Sequence, residues 1–148
     1  MKKIISVIMI LIMICGVISN TSQEVGAKDN YLGTRYKKMI KKINILMDTS
    51  KLPTSELNTN SAKAVSMINK EVKKVYKKEL AKLKGNKAKF LKKSQKVWKR
   101  KRSKYYSKKF REWGPGTGAI HYADDSFIKY TKKRIKWLVK KYGEPGLK

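Results

Sequence analysis

Acid–base chemistry needs two titratable groups held close together, and this chain has few candidates. His121 is its only histidine, and Asp124 and Asp125 follow closely. A His/Asp site can be drawn from these three residues. Adjacent aspartates at the start of a helix point to different sides, however, and no second histidine or thiolate completes a metal site. Gly114, Gly116 and Gly118 alternate with other residues, but they follow a helical pattern and precede a loop, the wrong context for a phosphate cradle. No nucleophile has a base beside it. The reading is a non-enzyme with neither cofactor nor metal.

A second constellation says more. Leu91, Gln95, Trp98 and Arg102 recur at spacings of four, three and four, which places them on one stripe of a helix. Gln and Arg inside an apolar stripe are costly to bury unless they are paired. Either they join a polar network against another helix, with Thr131 and Arg134 as further members, or they are presented to a ligand.

Such residues need helices to hold them, and four helical patterns are present. The first runs from about Tyr31 to Met47 and is broken between Asp48 and Pro53. The second starts near Ser55 or Asn60 and continues to Leu83, with Ala64, Val65, Ile68, Val72, Val75, Tyr76, Leu80 and Leu83 as its apolar stripe. Gly85 and Asn86 close it, Gly being well suited to a left-handed residue after the last turn. The third spans about Lys87 to Glu112, with Phe90, Leu91, Ser94, Val97, Trp98 and Tyr105 on one side. Pro115 among Gly114, Gly116 and Gly118 stops it. Asp124, Asp125 and Ser126 are N-cap candidates for a fourth helix, whose stripe is Phe127, Ile128, Thr131, Ile135, Leu138 and Tyr142, closed by Gly143 and Pro145. Short links between long helices favour antiparallel neighbours. The expected fold is all-α, a small antiparallel bundle of about four helices, with Leu91, Trp98, Val72, Tyr76 and Leu138 in its core.

The N-terminus reads as an export signal. Lys2 and Lys3 precede an almost unbroken apolar run from Ile4 to Ile18, and Val25-Gly26-Ala27 offers small residues for a peptidase. The run is shorter than the ~20 residues a transmembrane helix needs; an uncleaved anchor is the alternative reading. Cleavage after Ala27 leaves 28–148 as one domain with no transmembrane span, secreted or periplasmic. Cys15, the single cysteine, leaves with the signal, so no disulfide forms; bulky Ile12, Met13 and Ile14 before it do not suit lipidation.

Charge dominates the composition: 38 Lys and Arg stand against 10 Asp and Glu, a net charge of +28 over 148 residues. Loss of Lys2, Lys3 and Glu24 lowers it by only one charge. Such a field attracts anionic surfaces of many kinds, while the apolar periodicity argues against a disordered basic tail.

The spacing Leu91-x-x-x-Gln95-x-x-Trp98-x-x-x-Arg102 resembles the signature of the lysozyme inhibitor LprI-like N-terminal domain family. Three further pieces agree in order: Val72 with Tyr76, the glycine-rich Gly116-Thr117-Gly118, and Thr131-x-x-Arg134-x-x-x-Leu138. The resemblance covers about Val72 to Leu138. It implies an exported helical domain of the cell envelope that acts by binding, with lysozyme inhibition the activity of some members. The chain departs from the family at Lys73, where an Asn is usual, and at Tyr106, where many members carry a cysteine.

Two partners follow. A lysozyme or other envelope hydrolase would be met by a protruding tip, for which the segment from Trp113 through Gly116, Thr117 and His121 to Tyr122 is the candidate. Anionic envelope polymer or nucleic acid would be met without sequence specificity by Lys99, Arg100 and Lys101 and their neighbours, with aromatic faces for stacking. A membrane-surface role ranks below both, because the Gln/Arg stripe suits a folded bundle better than an embedded face.

Overall fold

The computed structural model describes residues 33–50 and 53–143. The export signal, Cys15, the start of the first helical pattern and Pro145 lie outside the described residues. Among the described residues there are four helices and no strand: α1 (Thr34–Leu46), α2 (Thr54–Ala81), α3 (Gly85–Trp113) and α4 (Thr117–Tyr142).

The last helix organises the other long ones. It packs extensively on both α2 and α3, whereas α2 and α3 barely touch each other, and α1 lies on α2. The α3–α4 pair is antiparallel, since Trp113 meets Tyr122, Tyr105 meets Tyr130 and Gln95 meets Arg134. Ser61 of α2 meets Asp124 of α4, each near the start of its helix, so these two run parallel.

Burial explains the arrangement. Ala64, Ile68, Val72 and Val75 make one stripe of α2, and Ile128, Ile135, Leu138 and Val139 make the matching stripe of α4. Tyr36 and Ile43 of α1 close one side of this core, and Leu91 and Trp98 of α3 the other. Each such aliphatic residue contributes roughly 1.5–3 kcal/mol when fully buried. Of the expected core, Tyr76 is only partly buried; Phe90, on the apolar side expected of the third helix, stands largely in solvent.

The start of α4 differs from the sequence expectation. Asp124, Asp125 and Ser126 do not cap it; the helix begins seven residues earlier, at Thr117, directly after Gly116. Ala119 and Ala123, four residues apart, are fully buried, so tertiary packing extends the helix through Gly118 despite that residue's poor intrinsic propensity. The break between α3 and α4 therefore shrinks to Gly114-Pro115-Gly116. Gly85 does take a positive φ of 55°, but as the first residue of α3; α2 ends before it, with Lys82 as its C-cap.

Gly116 adopts φ 137° and ψ 166°, a region essentially reserved for glycine. Nothing lies within 4 Å of an added Cβ there, so the demand is conformational and not steric. Gly116→Ala is expected to lower unfolding stability by about 1–3 kcal/mol, measured as a reduced urea midpoint with an unchanged slope.

Candidate functional site

The Gln/Arg stripe of α3 faces α4, and the two helices share their polar groups. Arg134 of α4 is 7% exposed. Its Nε donates to Gln95 Oε1 at 3.1 Å, and its Nη1 donates to Ser94 Oγ at 3.1 Å. Its guanidinium also sits 4.2 Å from the Trp137 ring centre and 5.6 Å from that of Trp98. The second arginine, Arg102, donates through Nη1 to Asn69 Oδ1 of α2 at 3.1 Å and lies 4.4 Å from Trp98 and 4.2 Å from Phe127. Trp98 is thus flanked by two guanidinium groups, and Leu91 packs fully buried about two turns away.

Neither arginine has a carboxylate partner among the described residues. Burial pushes both side chains below their ordinary pKa, and the ionisable groups opposing this at Arg134 are phenols, those of Tyr142, Tyr130 and Tyr76. Neutral acceptors and ring faces hold the charge, each cation–π contact adding about 0.5–2 kcal/mol according to its desolvation. Thr131 stands apart from this set: its hydroxyl donates back to the Phe127 carbonyl of its own helix at 2.8 Å.

Beside Trp98, an open groove of about 390 Å3 lies between α3 and α4. Phe90, Val97, Trp98 and Tyr130 supply its apolar lining, and Lys93, Lys101 and Arg134 its cations.

The α3–α4 turn carries a different arrangement. Trp113 is 57% exposed, yet its ring stacks on Tyr122 at 4.8 Å. Gly118 lets the indole lie close, since a Cβ there would come within 2.8 Å of Trp113 Nε1. Phe110 and Ile120 are exposed nearby in sequence. Thr117 opens α4, and its side chain lies outside the described residues. His121 is not a loop residue: it is half-buried on the second turn of α4, with Nδ1 buried and unpartnered.

The sequence-selected binding residues therefore fall in two places. Trp113 and Gly116 lie at the turn, whereas Lys99, Arg100 and Lys101 lie about 18 Å down α3 at 1.5 Å per residue. Within that triplet only Lys101 lines the groove. The pattern did not single out Asn69 or Trp137 as arginine partners, and Ser94 stood in it only as an apolar-stripe member.

A third polar cluster stands where the sequence predicts a helix cap. Asp124 is buried, and the Ser61 hydroxyl donates to its Oδ2 at 2.6 Å. The Tyr106 hydroxyl bonds it as well, so α2, α3 and α4 converge on one carboxylate. Burial is the largest influence and raises the Asp124 pKa above the ordinary 3.8, against the opposing hydrogen bonds of Ser61 and Tyr106 and the charge of His121. Asp125 instead faces outward and pairs with Lys129 at 2.7 Å.

Two measurements test these networks. Gln95→Ala leaves the Arg134 Nε buried without an acceptor and should cost about 1–3 kcal/mol in urea unfolding; wild-type stability would remove Gln95 from the interhelical network. For Asp124, a carboxyl with a raised folded pKa favours the fold fully below its unfolded pKa, and that contribution is lost as pH rises through the folded value. Asp124→Asn still accepts from Ser61 and Tyr106 but cannot ionise. Its urea midpoint relative to wild type should therefore climb as pH is raised from below the ordinary carboxylate range towards neutrality, and a flat difference would contradict the burial argument.

Comparison with protein families matches residues 47–138 to the family described as lysozyme inhibitor LprI. No curated protein and no solved structure matches the chain. The match begins well before Val72 and takes in all of α2 and α3 and most of α4, which together carry the arginine–tryptophan cluster, the groove and the Trp113 turn. With well over half of its 148 residues matched, the chain belongs to the lysozyme inhibitor LprI family.

Proposed function

We propose that this is an exported protein of the cell envelope that acts by binding, and that it inhibits a lysozyme or a related envelope hydrolase through the α3–α4 turn. The observation that carries the reading is Trp113. A large aromatic side chain left in solvent and clamped in one orientation, by Tyr122 behind and Gly118 beneath, suits the central anchor of an interface. Such anchors concentrate binding energy, and tryptophan is enriched among them. Its rigidity also lowers the entropy lost on association. The flanking Arg111, exposed and outside the Lys108 and Lys109 pairs with Glu112, suits the acidic residues of a sugar-cleaving cleft. No catalytic role is assigned to any residue of the chain, and export rests on the sequence of residues 1–27.

A second reading has its own support. Helix α3 carries thirteen Lys and Arg against a single acid, Glu112. Lys108 and Lys109 pair with that acid, and Lys92, Lys93, Lys96, Lys99, Arg100 and Lys101 are exposed. A helix face of this kind binds polyanions such as acidic wall polymers or nucleic acid. Counterion release makes that binding fall steeply with salt.

One titration separates the two. Cell-wall lysis by several lysozymes is followed at physiological salt as the purified protein is added, beside a non-inhibiting basic protein of similar charge. Inhibition beyond that control is expected, weakened at least about tenfold by Trp113→Ala, the loss typical of an interface anchor. Gly118→Ala, which displaces the indole without deleting it, should weaken inhibition in the same direction. Inhibition no stronger than the control's, lost in step with added salt and indifferent to Trp113, would assign the protein to polyanion binding.

A further inference from the structure

The groove between α3 and α4 lies apart from the Trp113 turn, and its composition specifies a ligand. Arg134 is the one deeply buried cation along it. Two of its five N–H groups are engaged, by Gln95 and Ser94, and Nη2 is buried with no protein partner. Burial deprives its charge of water, and no described carboxylate compensates. A buried guanidinium in that condition gains most from an oxyanion, because charge-assisted hydrogen bonds are about twice as strong as neutral ones. Lys93 and Lys101 add positive charge along the same groove, while Val97, Trp98 and Tyr130 line it with apolar surface. An inorganic anion would use the cations and waste the apolar lining. A neutral apolar molecule would do the reverse.

We propose that the groove between α3 and α4 binds an apolar monocarboxylate, its carboxylate taken by Arg134 with help from Lys93 and Lys101 and its aliphatic or aromatic body laid against Val97, Trp98 and Tyr130. A free acyl chain and the apolar C-terminal residue of a peptide share this chemistry. The site is independent of hydrolase inhibition, which concerns the other end of the hairpin.

The test is titration of the purified protein at physiological salt with octanoate and, separately, N-acetyl-leucine, read by tryptophan fluorescence and by backbone amide shifts. 1-Octanol and N-acetyl-leucinamide are the neutral counterparts. Saturable binding of either acid is expected, with its neutral counterpart at least about tenfold weaker, as the loss of a charged hydrogen-bond partner implies. Tighter octanoate would indicate an acyl chain as the natural source, and tighter N-acetyl-leucine a peptide terminus. Val97→Phe, which fills the groove and removes no charge, should abolish binding, and Arg134→Lys should weaken it about tenfold. Lys99→Ala, an exposed charge outside the groove, should leave it unchanged. Because Arg134 also supports the fold, Val97→Phe and Lys101→Ala carry the test if Arg134→Lys is unstable. Failure of both acids to bind saturably, equal binding of acid and neutral counterpart, or equal losses for Lys101→Ala and Lys99→Ala would overturn the proposal.

Discussion

A guanidinium group removed from water must be given something in exchange, and in this protein carboxylates are scarce. Ten acids serve 38 Lys and Arg along the whole chain. Arg134 and Arg102 are therefore stabilised by amide and hydroxyl oxygens and by the faces of Trp98, Trp137 and Phe127. The consequences spread through the fold. Arg134 fixes the register of α4 against α3, Arg102 reaches across to α2, and Trp98 must lie between them to serve both. The few residues of α3 that are buried are Leu91, Gln95 and Trp98, so this cluster is the deepest attachment of a largely solvent-facing helix. Replacing either arginine would alter the meeting of helices as well as local charge.

Much of this was legible in the residues. The stripes of α2 and α3 and the break at Gly114-Pro115-Gly116 follow from spacing alone, because helical periodicity and proline chemistry are local. The stripe Leu91, Gln95, Trp98 and Arg102 already demanded polar partners. Their identities were not legible: Asn69 lies 33 residues from Arg102, and Ser94 lies 40 from Arg134, so only the packing of helices reveals them. The start of α4 was misjudged because Asp124, Asp125 and Ser126 form a persuasive cap by composition. The deciding fact, burial of Ala119 and Ala123 against the core, is tertiary. The same error hid Asp124 as the point where three helices meet, and it made His121 look like part of a loop.

Position Tyr106 illustrates how a departure from a family pattern can be absorbed. Where the family resemblance implies a cysteine in many members, this chain has a phenol that packs edge-on against Phe127 and bonds Asp124. Both contacts link α3 to α4, as the arginine cluster does further along. The interface between these helices is thus polar and aromatic at several levels, with the aliphatic core confined mainly to the α2–α4 side. That division leaves one edge of α3 open beside Trp98, where the groove lies, and leaves the far face of α3 to its lysines.

The near absence of contact between α2 and α3 has a consequence for the order in which the chain acquires structure. Neighbouring helices in a hairpin commonly nucleate on each other, but here each of them finds its main partner in α4, which follows both in the chain. A nascent chain that has produced only residues up to about Trp113 has α1 against α2 but lacks the main cover for the apolar stripes of α2 and α3, and its many lysines repel one another. Full burial of both stripes must wait for α4, which joins segments distant in the sequence. Until then those stripes lack their main cover, and the net positive charge of the segment opposes its association with other copies.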